Sequence, residues 1–214
     1  MKRMLKYNYI FLPIFFILCF FIKGFSINNF PKNKFRNNMS VGAFTGYGYW
    51  INGNNLNKYL KNRSVFYIEL WLSSKKSTFF LSYNGVSSKF SNEYINKYTW
   101  PKDIKISSRM PSLSYGYNIL DNNNIKIIPF LSFGYNSIHT LKDDNYKKNV
   151  LESLVLSGGI NFDYKFGRRT VTIYKAIRFG VEFFYEKYDS NLKGLSCAFK
   201  VGLLFNRPLT VDYD

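Results

Sequence analysis

The chain has 214 residues but only two cysteines, one histidine and thirteen acidic side chains. Each shortage removes a class of protein. Cys19 falls in the leader described below, which leaves Cys197 alone, so no internal disulfide is possible. Cys197 sits among apolar residues of its own strand face and reads as a small inert side chain rather than a nucleophile. There is no Cys/His metal cluster, no HExxH, no P-loop and no GxGxxG opening a helix. No metal and no cofactor are therefore expected. Nucleic-acid binding has no motif behind it either. No linker, repeat array or second domain interrupts the chain.

Bases and rings are abundant. Thirty Lys and Arg against thirteen acids give a formal charge of +17, and aromatics make up 20% of the residues. The rings exceed what a soluble core needs and suit the aromatic girdles of a membrane barrel. The positive charge suits the phosphates of an outer-leaflet lipid. It is equally what AT-rich coding produces, since Lys, Asn, Ile, Phe and Tyr are all frequent. Met1 to Lys6 is a basic n-region, and Ile10 to Ile22 is an uncharged apolar run too short to span a bilayer comfortably. Gly24-Phe25-Ser26 offers the small-x-small cleavage pattern, so residues 1–26 read as a secretory signal peptide, the alternative being an uncleaved anchor. Cys19 follows Leu18, where a lipoprotein cysteine needs a small residue. Cleavage after Ser26 removes Lys2, Arg3, Lys6 and Lys23, which takes four charges from +17 and leaves +13. Residues 27–38 are polar and basic and read as a periplasmic lead-in.

From residue 39 the pattern is strict alternation. In Leu195 to Phe205 the odd positions are Leu195, Cys197, Phe199, Val201, Leu203 and Phe205. The even ones are Ser196, Ala198, Lys200 and Gly202, with Leu204 the large apolar exception. Successive strand side chains point to opposite faces, so one face is oily and the other small and polar. Seven earlier segments repeat this sidedness: 39–51, 64–74, 77–87, 108–120, 125–138, 153–166 and 171–188. A soluble barrel of the lipocalin kind would put the apolar parity inside and a charged parity outside, and a parity of Ser, Gly and Asn makes a poor solvent face. The connections alternate in length: 52–63, 89–107 and 139–152 are long, 75–76, 121–124 and 167–170 are short, and 189–194 is intermediate. Long loops outside and short periplasmic turns are the mark of outer-membrane barrels. The expected fold is all-β: an eight-stranded antiparallel transmembrane β-barrel, an up-and-down meander over 39–207, with a tail over 208–214 and both termini in the periplasm.

One stretch runs Ser112-Leu-Ser-Tyr-Gly-Tyr-Asn-Ile-Leu120 and, after a polar turn, Ile125-Lys-Ile-Ile-Pro-Phe-Leu-Ser-Phe-Gly-Tyr135. It resembles the central hairpin of the outer-membrane β-barrel domain family, which includes OmpA- and OmpX-like barrels and porin-family proteins of the PorT type. The closing Val201 to Phe205 is similar too, and the likeness is mainly one of pattern. The tail from Asn206 to Asp214 departs from the terminal aromatic of many members. The resemblance implies an outer-membrane location. It does not imply one function, because such barrels include adhesins, anchors, secretion components, small pores and lipid-modifying enzymes.

Several residues are candidates for chemistry. Glu69, Asp163, Arg178, Glu182 and Lys200 share the inward parity and are expected to form a salt-bridge network that fills the lumen, since charges in a narrow barrel must be paired. The alternative is a gated ion path, for which eight strands leave little room. Lys58, Lys61, Arg63, Lys97, Lys102, Lys147 and Lys148, with Lys89, Lys105 and Lys142, lie in or beside long loops, where lipopolysaccharide phosphates or an acidic envelope partner are the expected contacts. His139 lies at a strand end near Ser137 and Thr140, and a His/Ser pair of that kind can serve hydrolysis of lipid acyl groups. The primary expectation is a non-enzymatic outer-membrane protein with a packed polar lumen, serving structure, adhesion or an envelope complex. A narrow pore and a lipid A-modifying enzyme are the alternatives.

Overall fold

A computed structural model describes residues 39–208, apart from 75, 123, 142–149 and 171–172. The expected leader, the lead-in and most of the tail lie outside the described residues.

Eight strands run β1 Met39–Asn52, β2 Arg63–Ser74, β3 Ser77–Lys89, β4 Lys105–Tyr117, β5 Ile125–Thr140, β6 Val150–Thr170, β7 Ile173–Lys187 and β8 Lys193–Pro208. Each pairs antiparallel with the next, and β1 pairs with β8 from Ser40↔Pro208 to Asn52↔Ser196, which closes the sheet into a barrel. Closure removes every free sheet edge, the condition for placing strands in lipid. One end carries the short turns, including the two-residue strand Leu120–Asp121, and both ends of the described chain. The other carries the longer connections.

The alternation is carried out residue by residue. On β8, Leu195, Phe199, Val201, Leu203 and Phe205 are exposed, while Ser196, Ala198, Lys200 and Leu204 are buried. The same outward set recurs around the wall, with Leu131 70% and Leu156 65% exposed. A continuous apolar exterior of this size is the wrong surface for water and the right one for acyl chains. Tyr115, Tyr117 and Tyr164 stand outward toward the turn end, and Tyr49, Tyr135 and Tyr185 toward the loop end. Phenols at both rims fit two membrane interfaces.

The lumen differs from expectation. It is not chiefly small and polar: Phe44, Trp50, Tyr67, Trp71, Phe80, Phe130 and Phe184 all point inward and are buried. Volume is the reason, since small residues alone leave an eight-stranded interior underfilled. Inward glycines make the room. A Cβ at Gly42 would fall into the Trp71 indole, and one at Gly180 into the Lys200 side chain.

Two of the longer connections carry structure of their own. A short helix, α1 Asn54–Tyr59, follows β1, and Tyr94–Ile95 pairs with Thr99–Trp100 between β3 and β4. Leu56, Leu60, Phe90, Tyr94, Trp100, Ile106, Ile138, Leu151 and Leu192 bury one another there, making a second apolar cluster over the barrel mouth.

Candidate functional site

The barrel interior is built in layers from residues distant in sequence. Arg178 on β7 lies opposite Asp163 on β6 in register. Its Nε donates to Asp163 Oδ1 at 2.6 Å and its Nη2 to Oδ2 at 2.9 Å, a two-bond fork. Its Nη1 donates to Glu69 Oε2 on β2 at 2.8 Å. The Lys200 ammonium on β8 takes the other Glu69 oxygen. Glu182 accepts from the Ser157 hydroxyl at 2.5 Å, so its hydrogen-bond partner is an alcohol, while the ammonium of Lys200 goes to Glu69. Rings enclose these charges: the Arg178 guanidinium lies 4.6 Å from the Trp71 ring centre and 5.5 Å from that of Phe44. The arrangement is an ionic core in an aromatic sleeve, each cation facing both a carboxylate and a π face. A cavity beside Glu69, Glu182 and Lys200 measures about 10 Å³, room for about one water molecule.

Toward the turn end the lumen closes on hydroxyls and an amide. Ser73 and Thr78 meet at 3.0 Å, and Thr78 Oγ1 donates to Asn118 Oδ1 at 3.0 Å. Lys126 lies 5.3 Å over the Trp71 ring from below. Toward the loop end, Trp50 Nε1 donates to the Tyr67 hydroxyl at 2.7 Å. Asn136 Nδ2 and the Tyr188 hydroxyl donate to Glu186 Oε1 at 2.5 and 2.8 Å.

Arg63 belongs to this upper layer, which corrects its expected contact with lipid phosphate. It is the first residue of β2, on the same inward parity as Val65, Tyr67 and Glu69, and it pairs in register with Trp50. Its guanidinium sits 4.4 Å over the Trp50 ring, 3.8 Å from Glu186 and out of solvent.

The lysines expected at the surface have different settings. Lys58 lies over the Tyr59 ring and Lys97 over that of Tyr98, both exposed. Lys61 pairs with Asp103 at 2.8 Å, which holds that carboxyl below the usual range. Lys102 is exposed next to that pair. Lys142, Lys147 and Lys148 lie outside the described residues. The Tyr94 hydroxyl donates to Asp189, tying the loop hairpin to the β7–β8 connection. That bond pushes the phenol up, after burial as the larger cause.

Ser137 and His139 are brought together on the outward face of β5, hydroxyl against Nε2. Thr140 falls on the opposite parity. Ser137 stands between Arg109 of β4 and Glu152 of β6 in register. Among the described residues no group of three or more His, Cys, Asp or Glu is placed to hold a metal ion.

The inward aromatics and the loop-end cluster were not anticipated from the sequence. The first had a signal: a large ring on a parity otherwise made of Ser, Gly and Asn. The second had little, because its members come from three separate connections and from strand ends.

No protein-family model matches the chain, and no curated protein matches it. Solved structures do. The neisserial surface protein A barrel is similar at a TM-score of 0.52 and 10% identity, covering 79% of this chain and 96% of its own. Ail, the attachment invasion locus protein of Yersinia pestis, solved with the heparin analogue sucrose octasulfate, covers 78% of this chain and 97% of its own, at a TM-score of 0.45 and 13% identity. The N-terminal barrel domain of Pseudomonas aeruginosa OprF covers 79% and 98%, at 0.40 and 12%. At such identities the likeness is one of fold. The chain has the closed eight-stranded architecture of the OmpA/OmpX-like small outer-membrane barrels.

Proposed function

We propose that this chain is a non-enzymatic protein of a bacterial outer membrane, a closed barrel that does not conduct and acts through its ordered loop end. Its long connections face outward and its termini lie in the periplasm. It serves as a structural, adhesive or envelope-complex component. The observation that carries this reading is the fill of the lumen. Hydroxyls at the turn end, the Arg178–Glu69–Lys200 network at mid-height, the Trp50–Tyr67–Arg63 layer and the loop cluster leave a cavity of about 10 Å³ beside the network. A hydrated ion needs a continuous wet path, and one water site does not make one. Purified full-length chain in a planar bilayer is expected to give no steady conductance. A stable unitary current would replace this reading with that of a narrow pore.

The Ser137–His139 contact favours a second reading, hydrolysis of an ester-linked acyl group in the outer leaflet, with the hydroxyl as nucleophile and the imidazole as base. Mass spectra of outer-membrane lipids from cells with and without the chain decide it. Identical spectra retain the non-enzymatic reading. Loss of an acyl group that Ser137→Ala abolishes would install the enzyme.

A further inference from the structure

Closure protects a strand only where it has a neighbour on both sides, and β6 outruns one of its neighbours. Its ladder with β5 begins at Ile125↔Tyr164. One further bond follows, from the Lys165 amide to the Asn124 carbonyl at 2.7 Å, while the Lys165 ammonium goes to Asp121 and the Asn122 carbonyl. Ahead of Ile125 the chain turns away, since Leu120 and Asp121 pair back onto Ile127 and Lys126. On its other side β6 goes on pairing with β7 as far as Thr170↔Ile173. Residues 166–170 therefore have a ladder on one side and, among the described residues, no strand on the other. The stretch stands at the turn end, where Tyr174 of the same hairpin is in register with Asn206 near the end of β8. An unpaired row of backbone N–H and C=O groups is a template for one more strand. The sequence here is Phe166-Gly-Arg-Arg-Thr170, Lys175 on β7 is exposed, and no acid occurs between Asp163 and Glu182. Such charges keep away a second edge of the same kind but favour an acidic strand.

We infer that this edge takes up residues 209–214 of a second copy of the chain in the same membrane, as an added strand. This rests on the membrane reading above. The segment runs Leu209-Thr-Val-Asp-Tyr-Asp214: its Thr, Val and Tyr favour extended backbone, and its two acids answer Arg168 and Arg169. Main-chain bonds supply the affinity of such an addition, and the side-chain charges its choice of partner. The segment follows Pro208, which pairs with Ser40 at the turn end, so in a neighbouring barrel it starts on the same side of the bilayer as the hairpin. A chain's own segment is the poorer occupant. The open side of β6 lies three strand spacings from β8, about 14 Å. Six extended residues reach about 20 Å, which leaves about two of them to pair. A neighbour approaching from the open side of β6 has no such distance to cover. The contact is head-to-tail, an edge with a segment, so each copy keeps one of the two for the next barrel and the barrels join in rows or rings.

The test uses two populations of full-length chain, both with Cys19→Ser and Cys197→Ser. One carries Thr170→Cys and the other Val211→Cys. They are reconstituted together in phosphatidylcholine liposomes and treated with a short bismaleimide, and insertion is checked by the heat-dependent shift in gel mobility. A mixed dimer adduct is expected, and none when Ser87→Cys at the loop end replaces Thr170→Cys. Arg168→Glu with Arg169→Glu in the first population should cut the adduct about tenfold. Asp212→Lys with Asp214→Lys in the second should then restore it, which a damaged fold would not allow. Absence of the mixed adduct, or no recovery when the charges are exchanged, would overturn the inference. So would an equal yield of internal adduct from chains that carry both cysteines and are held one to a nanodisc, because the segment would then belong to its own barrel. A chain that inserts but gives no mixed adduct defeats this inference alone, whereas a chain that fails to insert defeats the membrane reading as well.

Discussion

Replacing Arg178 by methionine is expected to cost about 3–5 kcal/mol, toward the upper end, because two carboxylates lose their partner at once. Glu69 keeps Lys200, but Asp163 is left with neither of its two forked bonds, in a site without solvent. Removing one member of a buried pair is far worse than removing the pair, since the remaining charge is neither solvated nor compensated. The measurement is the urea midpoint for unfolding in detergent, read by gel mobility. Arg178→Met combined with Asp163→Asn and Glu69→Gln should recover most of the loss, because neither carboxylate is then left charged without its cation, while Lys200 still faces the Phe44, Tyr67 and Phe130 rings and lines the same small cavity as Glu182. A single variant as stable as the wild type would mean that the network contributes nothing to holding the barrel closed.

Trp100→Ala should act on the other end and in another way. Trp100 has no exposed surface and stacks on Phe90 at 5.1 Å in the loop-end cluster. Truncating a buried tryptophan costs about 3–5 kcal/mol. The cluster packs over the mouth, while the wall is held by its own closed ladder of strand pairs. The loss is therefore expected to open the loops locally and leave the barrel folded. Protease cleavage within 90–104 should rise by roughly two to four orders of magnitude, with the heat-dependent mobility shift unchanged. Loops as resistant as those of the wild type would show that the cluster does not order them. Collapse of the barrel together with the loops would show that cap and wall are one cooperative unit.

How much of this was legible residue by residue follows from what alternation can report. A period of two sorts side chains into two faces, and burial in lipid makes the faces chemically unlike. The outward position of Leu131, Phe199 or Tyr115 is thus written in the sequence. Alternation does not say how a face is filled. Trp71 and Phe44 stood in plain view on the inward parity, but only the packed interior shows that Gly42 and Gly46 leave space for their rings. Arg63 was misplaced because a loop boundary one residue too late turns an inward side chain into a loop one. The loop-end cluster was hidden because a six-residue helix is too short to show a period, and each connection contributes only one or a few of its members.

The sequence by itself determined the wall: which residues face acyl chains, that the strands are antiparallel neighbours, and which end carries the long connections. These are local properties, set by each residue and the two beside it. Only the tertiary structure decided that Glu69 meets Arg178 across 109 residues and Lys200 across 131. Pairing of the first strand with the last curves the sheet until side chains from distant strands share one axis, and no local pattern records which of them will meet there.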